Sequence, residues 1–449
     1  MNSSRRKFLK NAAILTSGTI VAPTILSRCA KGANDRILLA HIGVGGMGQA
    51  TLRSWFMPLE AAYSVATCDP FLDRRTGAAQ FVNQNYKETN RKAPECLPYL
   101  DFNEILERKD IDAVNITTPD HWHVLAAIKA ARAGKHVMLA KPLGLSYLEF
   151  KILEKELKAN DLRFHYGTQQ RAMSHMKLVV SMVKEGKIGE VERVEVWAPG
   201  KNDVPSPQCI EVPVPRDFDY ERWTGPARLN PYCPERVTNI GSFFQNDYSI
   251  GYLAGWGAHP LDIMIWAMKD KMDGEYTCEG TGAFWEPGGI YDNICSWDLN
   301  YEYKSGVKLR FVSDDIAAKK DVWNYRKVKD TNTTTFFGSK GWISVGRNSA
   351  ESNIPEIQQK LDEFPKDAQG WIIEDGYKMG QLYVDVVKGT VKETCPLDEA
   401  ILSDCVSHMG DIAIRTGEKI TWNPVVGEVV GDQEANKIFF RESRKPYTA

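Results

Sequence analysis

Short apolar runs recur through the first third of the chain, at residues 37–42, 63–68, 113–117, 136–140 and 163–166, with segments of helical apolar spacing between them. Runs that are apolar on both faces predict strands of a parallel sheet covered on both sides. They alternate with helices such as 122–133, closed by Gly134, and 146–159. Beyond residue 167 the pattern changes. Apolar and polar positions alternate and aromatics multiply at 191–197, 293–303 and 307–312, and Lys304-Ser305-Gly306 between the last two predicts a hairpin turn. The expected fold class is α/β followed by α+β: a doubly wound parallel sheet over residues 34–167, then a predominantly antiparallel sheet with helices over residues 168–449. Residues 199–249 are too long for a plain connector and read as a loop that shapes a site.

The first run leads directly into Gly43-Val44-Gly45-Gly46-Met47-Gly48, the G-x-G-x-x-G of a dinucleotide-binding strand, turn and helix. Gly43 permits the tight turn, Gly45 lets backbone approach a pyrophosphate, and Gly48 lets the following helix pack on its strand. The second run ends at Asp69, 26 residues after Gly43, where an acidic side chain accepts hydrogen bonds from the adenosine ribose. A carboxylate there repels a 2′-phosphate, so NAD is the expected cofactor; Arg74 and Arg75 keep NADP open as the alternative. The first domain is therefore expected to be a Rossmann domain.

With 449 residues, two domains are the default, and 43% apolar with 25% charged residues is ordinary for a globular enzyme with a sizeable core. The N-terminus departs from this. Ser4-Arg5-Arg6-Lys7-Phe8-Leu9-Lys10 matches a twin-arginine export signal, and the moderately apolar segment that follows, 12–26, is too short and too polar to anchor in a membrane. Residues 1–33 are expected to be a signal peptide recognised by the twin-arginine translocase, which would deliver the protein to the periplasm already folded around its cofactor. Cys29 offers lipid anchoring as an alternative, against which stands Arg28, where a small residue is wanted. Removing residues 1–29 leaves 51 basic against 58 acidic side chains, a balance with no general attraction for nucleic acid or anionic membrane. Nine cysteines are scattered without a C-x-x-C, so buried thiols are expected, with a disulfide in an oxidising compartment as the alternative.

Two loops at the ends of predicted strands carry candidate chemistry. Thr118-Pro119-Asp120-His121-Trp122-His123 follows the third run and Lys141-Pro142-Leu143 the fourth, and in an open parallel sheet both border the ligand crevice. Oxidising an alcohol requires a base for its proton. A lysine starting near pKa ~10.4 qualifies once burial and a neighbouring cation push it down, which makes Lys141 the candidate. A metal at His121, His123 and Asp120 is disfavoured: a helix starting after Pro119 sends the imidazoles apart and no third ligand is near in sequence. The cluster is better explained by contacts around cofactor and substrate, so no metal is expected.

The glycine turn, the Thr118-Pro119 loop, the Lys141-Pro142 pair and Gly257-Ala258-His259-x-x-Asp262 together resemble the Gfo/Idh/MocA family of oxidoreductases. Gly167-Thr168-Gln169-Gln170-Arg171, Trp223-Thr224-Gly225-Pro226 and the late helix 400–416 extend the resemblance over nearly the whole mature chain. It implies a Rossmann domain with an open-faced sheet domain, a tightly held NAD or NADP, sugar-like substrates, and frequent assembly into homo-oligomers. By position it makes Lys141 and His259 the catalytic pair. Gly43, Gly45, Gly46, Met47, Gly48, Asp69, Thr117, Pro119, His121, His123, Lys141 and Gln169 become the cofactor-binding candidates, and Lys141, Gln169, Arg171, Asp247, Tyr248 and His259 the substrate-binding ones. Two departures matter: the glutamate before Lys-Pro is Ala140 here, and the family's Asp-x-x-x-His places at position 255 an aspartate that this chain replaces with Gly255. Asp262, Tyr252 and Asp247 are the candidate replacements, and a structural role capping the helix that follows Pro260 is the alternative for His259. Gln169 and Arg171 are read as either sugar ligands or a satisfied polar pair, and Tyr232, Arg236, Phe243, Phe244 and Tyr248 as either a sugar-stacking wall or domain core.

The leading expectation is a periplasmic NAD-dependent oxidoreductase acting on a sugar or glycoside. The resemblance to glycoside hydrolase family 109 implies a second, cleavage by oxidation at C3, elimination, hydration and reduction with one NAD throughout. A third, a non-catalytic dinucleotide-binding protein, is motivated by Gly255.

Overall fold

The computed structural model describes residues 36–200, 204–319, 322–365 and 376–449. The expected signal peptide and Cys29 lie outside the described residues. Strands β1 (Ile37–Ile42), β2 (Ala62–Cys68), β3 (Leu97–Tyr99), β4 (Ala113–Ile116), β5 (His136–Leu139) and β6 (Phe164–Tyr166) form one six-stranded sheet in the order β3-β2-β1-β4-β5-β6. Every pairing in it is parallel. The chain steps outward from β1 to β2 on one side and to β4 on the other, so a crevice opens beyond their carboxyl ends. Five of the strands fall where the apolar runs predict them. The sixth, β3, has three residues with Pro98 at its centre, and its partners are all on one side. A strand that short, with a proline that donates no hydrogen bond, is tolerated at a sheet edge and leaves no periodicity to read.

Helices α1 (Gly46–Thr51), α2 (Leu72–Glu88), α3 (Asp120–Arg132) and α4 (Tyr147–Ala159) connect these strands. Eleven of the thirteen residues of α3 are buried, which explains why its sequence, rich in Ala, Val, Leu and Ile, lacks a polar face. The second sheet has nine strands in the order β13-β12-β11-β7-β10-β9-β8-β14-β15. These are β7 (Val191–Ala198), β8 (Tyr276–Phe284), β9 (Ile294–Tyr303), β10 (Lys308–Ser313), β11 (Thr333–Gly338), β12 (Gly341–Gly346), β13 (Ala350–Ser352), β14 (Ile420–Asn423) and β15 (Glu428–Val429). All its pairings are antiparallel except β7 with β10. β9 and β10 form the expected hairpin, closed by the Gly306 N–H donating to the Tyr303 carbonyl at 2.8 Å, with Gly306 at φ +89°.

Four later helices matter for the site: α5 (Asn239–Phe243), α6 (Pro260–Met272), α7 (Gly376–Lys388) and α8 (Leu397–Thr416). α7 packs back on the first sheet, where Tyr383 and Val384 are fully buried with Leu39 and Ala113, and the Tyr383 hydroxyl donates to the Val114 carbonyl at 3.1 Å. α8 ties the second sheet to the Lys141-Pro142 loop. Tyr301 Oη donates to the Val406 carbonyl at 2.9 Å, and Asp404 Oδ1 accepts from the Leu143 N–H at 3.2 Å. Residues 204–249 hold only short helical turns, as befits a segment without apolar period. A disulfide closes it between Cys209 and Cys233, Cα to Cα 5.5 Å. The buried-thiol expectation is thereby corrected for these two cysteines, which lie in a segment with little core of its own, whereas Cys68, Cys96, Cys278, Cys295, Cys395 and Cys405 are free and buried. Among the described residues no helix is long and apolar enough to cross a membrane.

Candidate functional site

A cavity of about 520 Å³ opens at the carboxyl ends of β1, β4 and β5. Its floor is the glycine turn. Gly43 stands at φ +82°, and a Cβ there would lie 2.7 Å from the Thr117 carbonyl; a Cβ on Gly48 would lie 2.1 Å from the Gly43 oxygen. The turn is locked by Thr117 Oγ1, which donates to that oxygen at 2.6 Å. Gly45, Gly46 and Met47 face the cavity, while Gly48 holds α1 against β1 behind it. Asp69 is buried at the end of β2, its two oxygens accepting the N–H groups of Val44 and Phe71 at 3.0 Å each. Burial raises its pKa, opposed by those two bonds and by Arg74. Arg74 stacks on the Phe71 ring at 3.8 Å beside the cavity, whereas Arg75 donates to the backbone carbonyls of Asp69 and Pro70. A turn that only glycines fit, with a carboxylate one strand away, suits a dinucleotide's diphosphate and ribose.

At the other end of the cavity, Lys141 leaves β5 and its Nζ donates to the Gly255 carbonyl at 2.8 Å. Gly255, where the resemblance implied an aspartate, therefore still supplies an acceptor through its backbone. Burial lowers the Lys141 pKa to about 8, with Asp120 raising it and Arg347 lowering it further. At neutral pH roughly a tenth of such an amine is unprotonated and able to accept a proton. His259 lies behind it, 2% exposed, its ring edge-on to Trp256 with centroids 6.0 Å apart. Burial, then the charges of Lys141 and Arg347, hold its pKa well below the usual histidine range, so the imidazole is neutral and a weak base. Its Nδ1 has no hydrogen-bond partner among the described residues.

The other sequence candidates divide. Pro119, His123, Gln169, Tyr248 and Tyr252 line the same cavity. His121 does not: it is buried with Nε2 2.9 Å from the Trp223 carbonyl, and burial lowers its pKa to about 4. His123 has its two ring nitrogens 2.7 and 2.8 Å from the carbonyls of Pro142 and Thr118. Arg171 is corrected outright as a sugar ligand. It is 1% exposed, paired through Nε and Nη2 with Asp262 at 2.8 and 2.6 Å, and it donates from Nη1 to Glu399 and to the Thr394 carbonyl. The same fork removes Asp262, fully buried, as the replacement acid. Asp247 accepts from Asn230 at 2.7 Å and stands apart from the cavity wall.

The fold also brings to the cavity residues to which the sequence assigns no role, or, for Asp120, only a place in the cluster with His121 and His123. Asp120, the first residue of α3, is buried and accepts from Ser249 Oγ at 2.7 Å. Asn239, at the start of α5, lays its amide on the glycine turn, where a Cβ on Gly46 would lie 2.5 Å from its Nδ2. Trp223 and Trp256 complete an aromatic wall with Phe243, Tyr248 and Tyr252. Trp223, Phe243, Tyr248 and α5 come from the long irregular segment, whereas Tyr252 and Trp256 lie just beyond it; for Asn239, Trp223 and Trp256 the sequence carries no site-specific signal.

Comparison with known proteins agrees with this geometry. A family model described as an oxidoreductase family with an NAD-binding Rossmann fold matches residues 37–168, and its companion, an oxidoreductase C-terminal alpha/beta domain, matches residues 195–449. A glycosyl hydrolase family 109 protein of Shewanella putrefaciens is 30% identical over 216 residues, 42% of this chain and 44% of that one. An alpha-N-acetylgalactosaminidase of Shewanella oneidensis is 27% identical over 217 residues with the same coverage. The matched region spans less than half the length of these relatives. Among solved structures, the WlbA dehydrogenase of Chromobacterium violaceum, in complex with NADH and UDP-GlcNAcA, superposes with a TM-score of 0.63 at 14% identity, over 87% of this chain and 97% of that one. The scyllo-inositol dehydrogenase of Lactobacillus casei gives 0.56 at 14% identity, over 87% and 99%. At such identities the likeness is one of fold.

Proposed function

The chain belongs to the Gfo/Idh/MocA oxidoreductase family, and on that premise we propose that it passes hydride between a ring carbon of a sugar or glycoside, C3 in our reading, and a tightly held NAD. The observation that carries this reading is Lys141: a half-buried amine with pKa drawn to about 8, in one cavity with the glycine turn and an aromatic wall. Bound in its oxidised form, the nicotinamide would supply the hydride acceptor. Lys141 Nζ then takes the substrate hydroxyl proton, while the Gly255 carbonyl fixes the amine in place. His259, neutral, buried and outside the cavity lining, backs Lys141 instead of removing the hydroxyl proton. Trp223, Tyr248, Tyr252 and Trp256 offer apolar faces for a pyranose ring and keep water from the reacting carbon.

The family 109 relatives favour a second reading, glycoside cleavage in which oxidation at C3 acidifies the neighbouring C–H, the aglycone is eliminated, water adds and the hydride returns. Incubation with aryl glycosides separates the two. A keto-glycoside accumulating with stoichiometric reduced cofactor supports net oxidation; aglycone released without net reduction supports cleavage. If Lys141→Ala leaves all turnover intact, neither stands and a purely binding protein is the better description.

We also propose periplasmic residence by the twin-arginine route, which the Arg5-Arg6 motif and the Cys209–Cys233 disulfide support. Arg5→Lys with Arg6→Lys should retain the protein in the cytoplasm on cell fractionation; unchanged export would refute the route.

A further inference from the structure

The family's acid is missing at Gly255, and the replacements considered from the sequence either are committed elsewhere or, like Tyr252, carry no carboxylate. Of the three carboxylates lining the cavity with Lys141, Asp69 lies at the end of β2 beside the glycine turn and Asp101 pairs with Arg222, whereas Asp120 stands at the strand end next to that of Lys141. Its placement follows from the sheet. β4 and β5 are parallel neighbours with Ile116 beside Leu139, so the chain leaves both strands side by side, into α3 at Asp120 and into the loop at Lys141. The first turn of α3 is tied to that loop, His123 Nδ1 lying 2.7 Å from the Pro142 carbonyl. Ser249 Oγ donates to Asp120 Oδ2 at 2.7 Å and itself accepts the Gly251 N–H at 3.0 Å, which fixes the carboxylate from the opposite side.

We propose that Asp120 is the acidic partner of Lys141: a positioning residue, held by Ser249, whose carboxylate supplies the counter-charge that the chain lacks at position 255. The charge coupling itself does not depend on any reaction; its use in proton transfer rests on the oxidoreductase reading above. Burial is the main force drawing Lys141 down, Asp120 opposes it and Arg347, on the turn after β12, reinforces it. Burial likewise raises Asp120, with His123, Ser249 and Lys141 pulling back and Asp404 of α8 pushing further. Neutral His259 faces the same amine. Removing the negative charge should therefore lower the Lys141 pKa, and removing Arg347 should raise it.

The test reads Lys141 directly. The purified full-length protein is pulse-labelled with trace acetic anhydride across a pH series, and acetylation of the Lys141 peptide is quantified by mass spectrometry. The expected midpoint is about 8 in the unaltered protein. Asp120→Asn should move it down by roughly one pH unit or more, as loss of an opposite charge close by does. Asp120→Glu should restore most of the shift, and Arg347→Gln should move the midpoint up. If Asp120→Asn does not fold, Ser249→Ala, which keeps the charge but frees it, should still lower the midpoint by a smaller amount. A midpoint unchanged or raised in Asp120→Asn, or unchanged in Ser249→Ala where only that variant folds, overturns the proposal. Where a glycoside substrate is found, the ascending limb of the kcat profile should move with the labelling midpoint while KM stays put. A protein that shows the labelling shifts but no turnover would retain the coupling and sink only the enzymatic reading.

Discussion

Replacing Arg171 by methionine should destabilise the protein severely and leave its affinity for substrate alone. The guanidinium is 1% exposed and Asp262 is fully buried, joined by two hydrogen bonds of 2.8 and 2.6 Å. In the variant, Asp262 keeps, among the described residues, Thr168 Oγ1 at 3.0 Å and the Cys395 thiol at 3.4 Å, and the Thr394 carbonyl and Glu399 lose a donor. Removing one partner of a buried ion pair costs about 3–5 kcal/mol, because the other charge is left without compensation. Against a total stability of about 5–15 kcal/mol this is a large fraction. The assay is the urea midpoint at constant pH with KM measured on the folded fraction. Arg171→Met with Asp262→Asn should recover part of the loss, since the stranded carboxylate is gone. Arg171→Lys, which keeps charge but not the fork, should fall between. An Arg171→Met protein with an unchanged midpoint and a raised KM would refute this reasoning and return Arg171 to the substrate.

Other expectations follow from the same geometry. Gly48→Ala forces a Cβ to within 2.1 Å of the Gly43 oxygen and 2.9 Å of Thr117 Oγ1, so α1 must leave β1; the strain should amount to about 1–3 kcal/mol and the purified variant should lose its nucleotide, read as released NAD per chain. Because Lys141 must be unprotonated to accept a proton, the oxidation rate should rise with pH through about 8 and then level, with no inflection near 6.5, since His259 is already neutral there. Lys141→Met should abolish that limb and lower kcat by roughly 10²–10⁴. Cys209→Ser opens a covalent loop of sequence separation 24 and should weaken the segment by about 3 kcal/mol, seen as faster proteolytic nicking between residues 209 and 233.

The first sheet was legible because each of its longer strands is a compact apolar run and the Gly43 to Gly48 turn carries its own steric logic. Lys141 was legible for a similar reason: an apolar strand delivers it to the end of the sheet where ligands bind. Residues whose roles depend on distant partners were not. Arg171 and Asp262 are 91 positions apart, and nothing local distinguishes a sugar-binding arginine from one locked in a buried pair. Asp120 looked like a helix-start acid beside two histidines, and only the neighbouring strand end reveals its proximity to Lys141. Asn239 reaches the glycine turn across an irregular segment whose path no periodicity encodes. The packing of α7 onto the first sheet is likewise invisible locally, because its apolar stripe names no partner.

The central claim is a dinucleotide whose reactive ring faces Lys141 and a sugar held on the aromatic wall. The protein purified with its cofactor should be mixed with a panel of pyranosides and their 3-deoxy analogues while the near-ultraviolet absorbance of bound reduced nicotinamide is followed. A signal that appears with at least one pyranoside, is absent with its 3-deoxy analogue and disappears in Lys141→Met is the expected result. A cofactor-loaded protein that responds equally to both analogues, or whose response survives loss of Lys141, would contradict it.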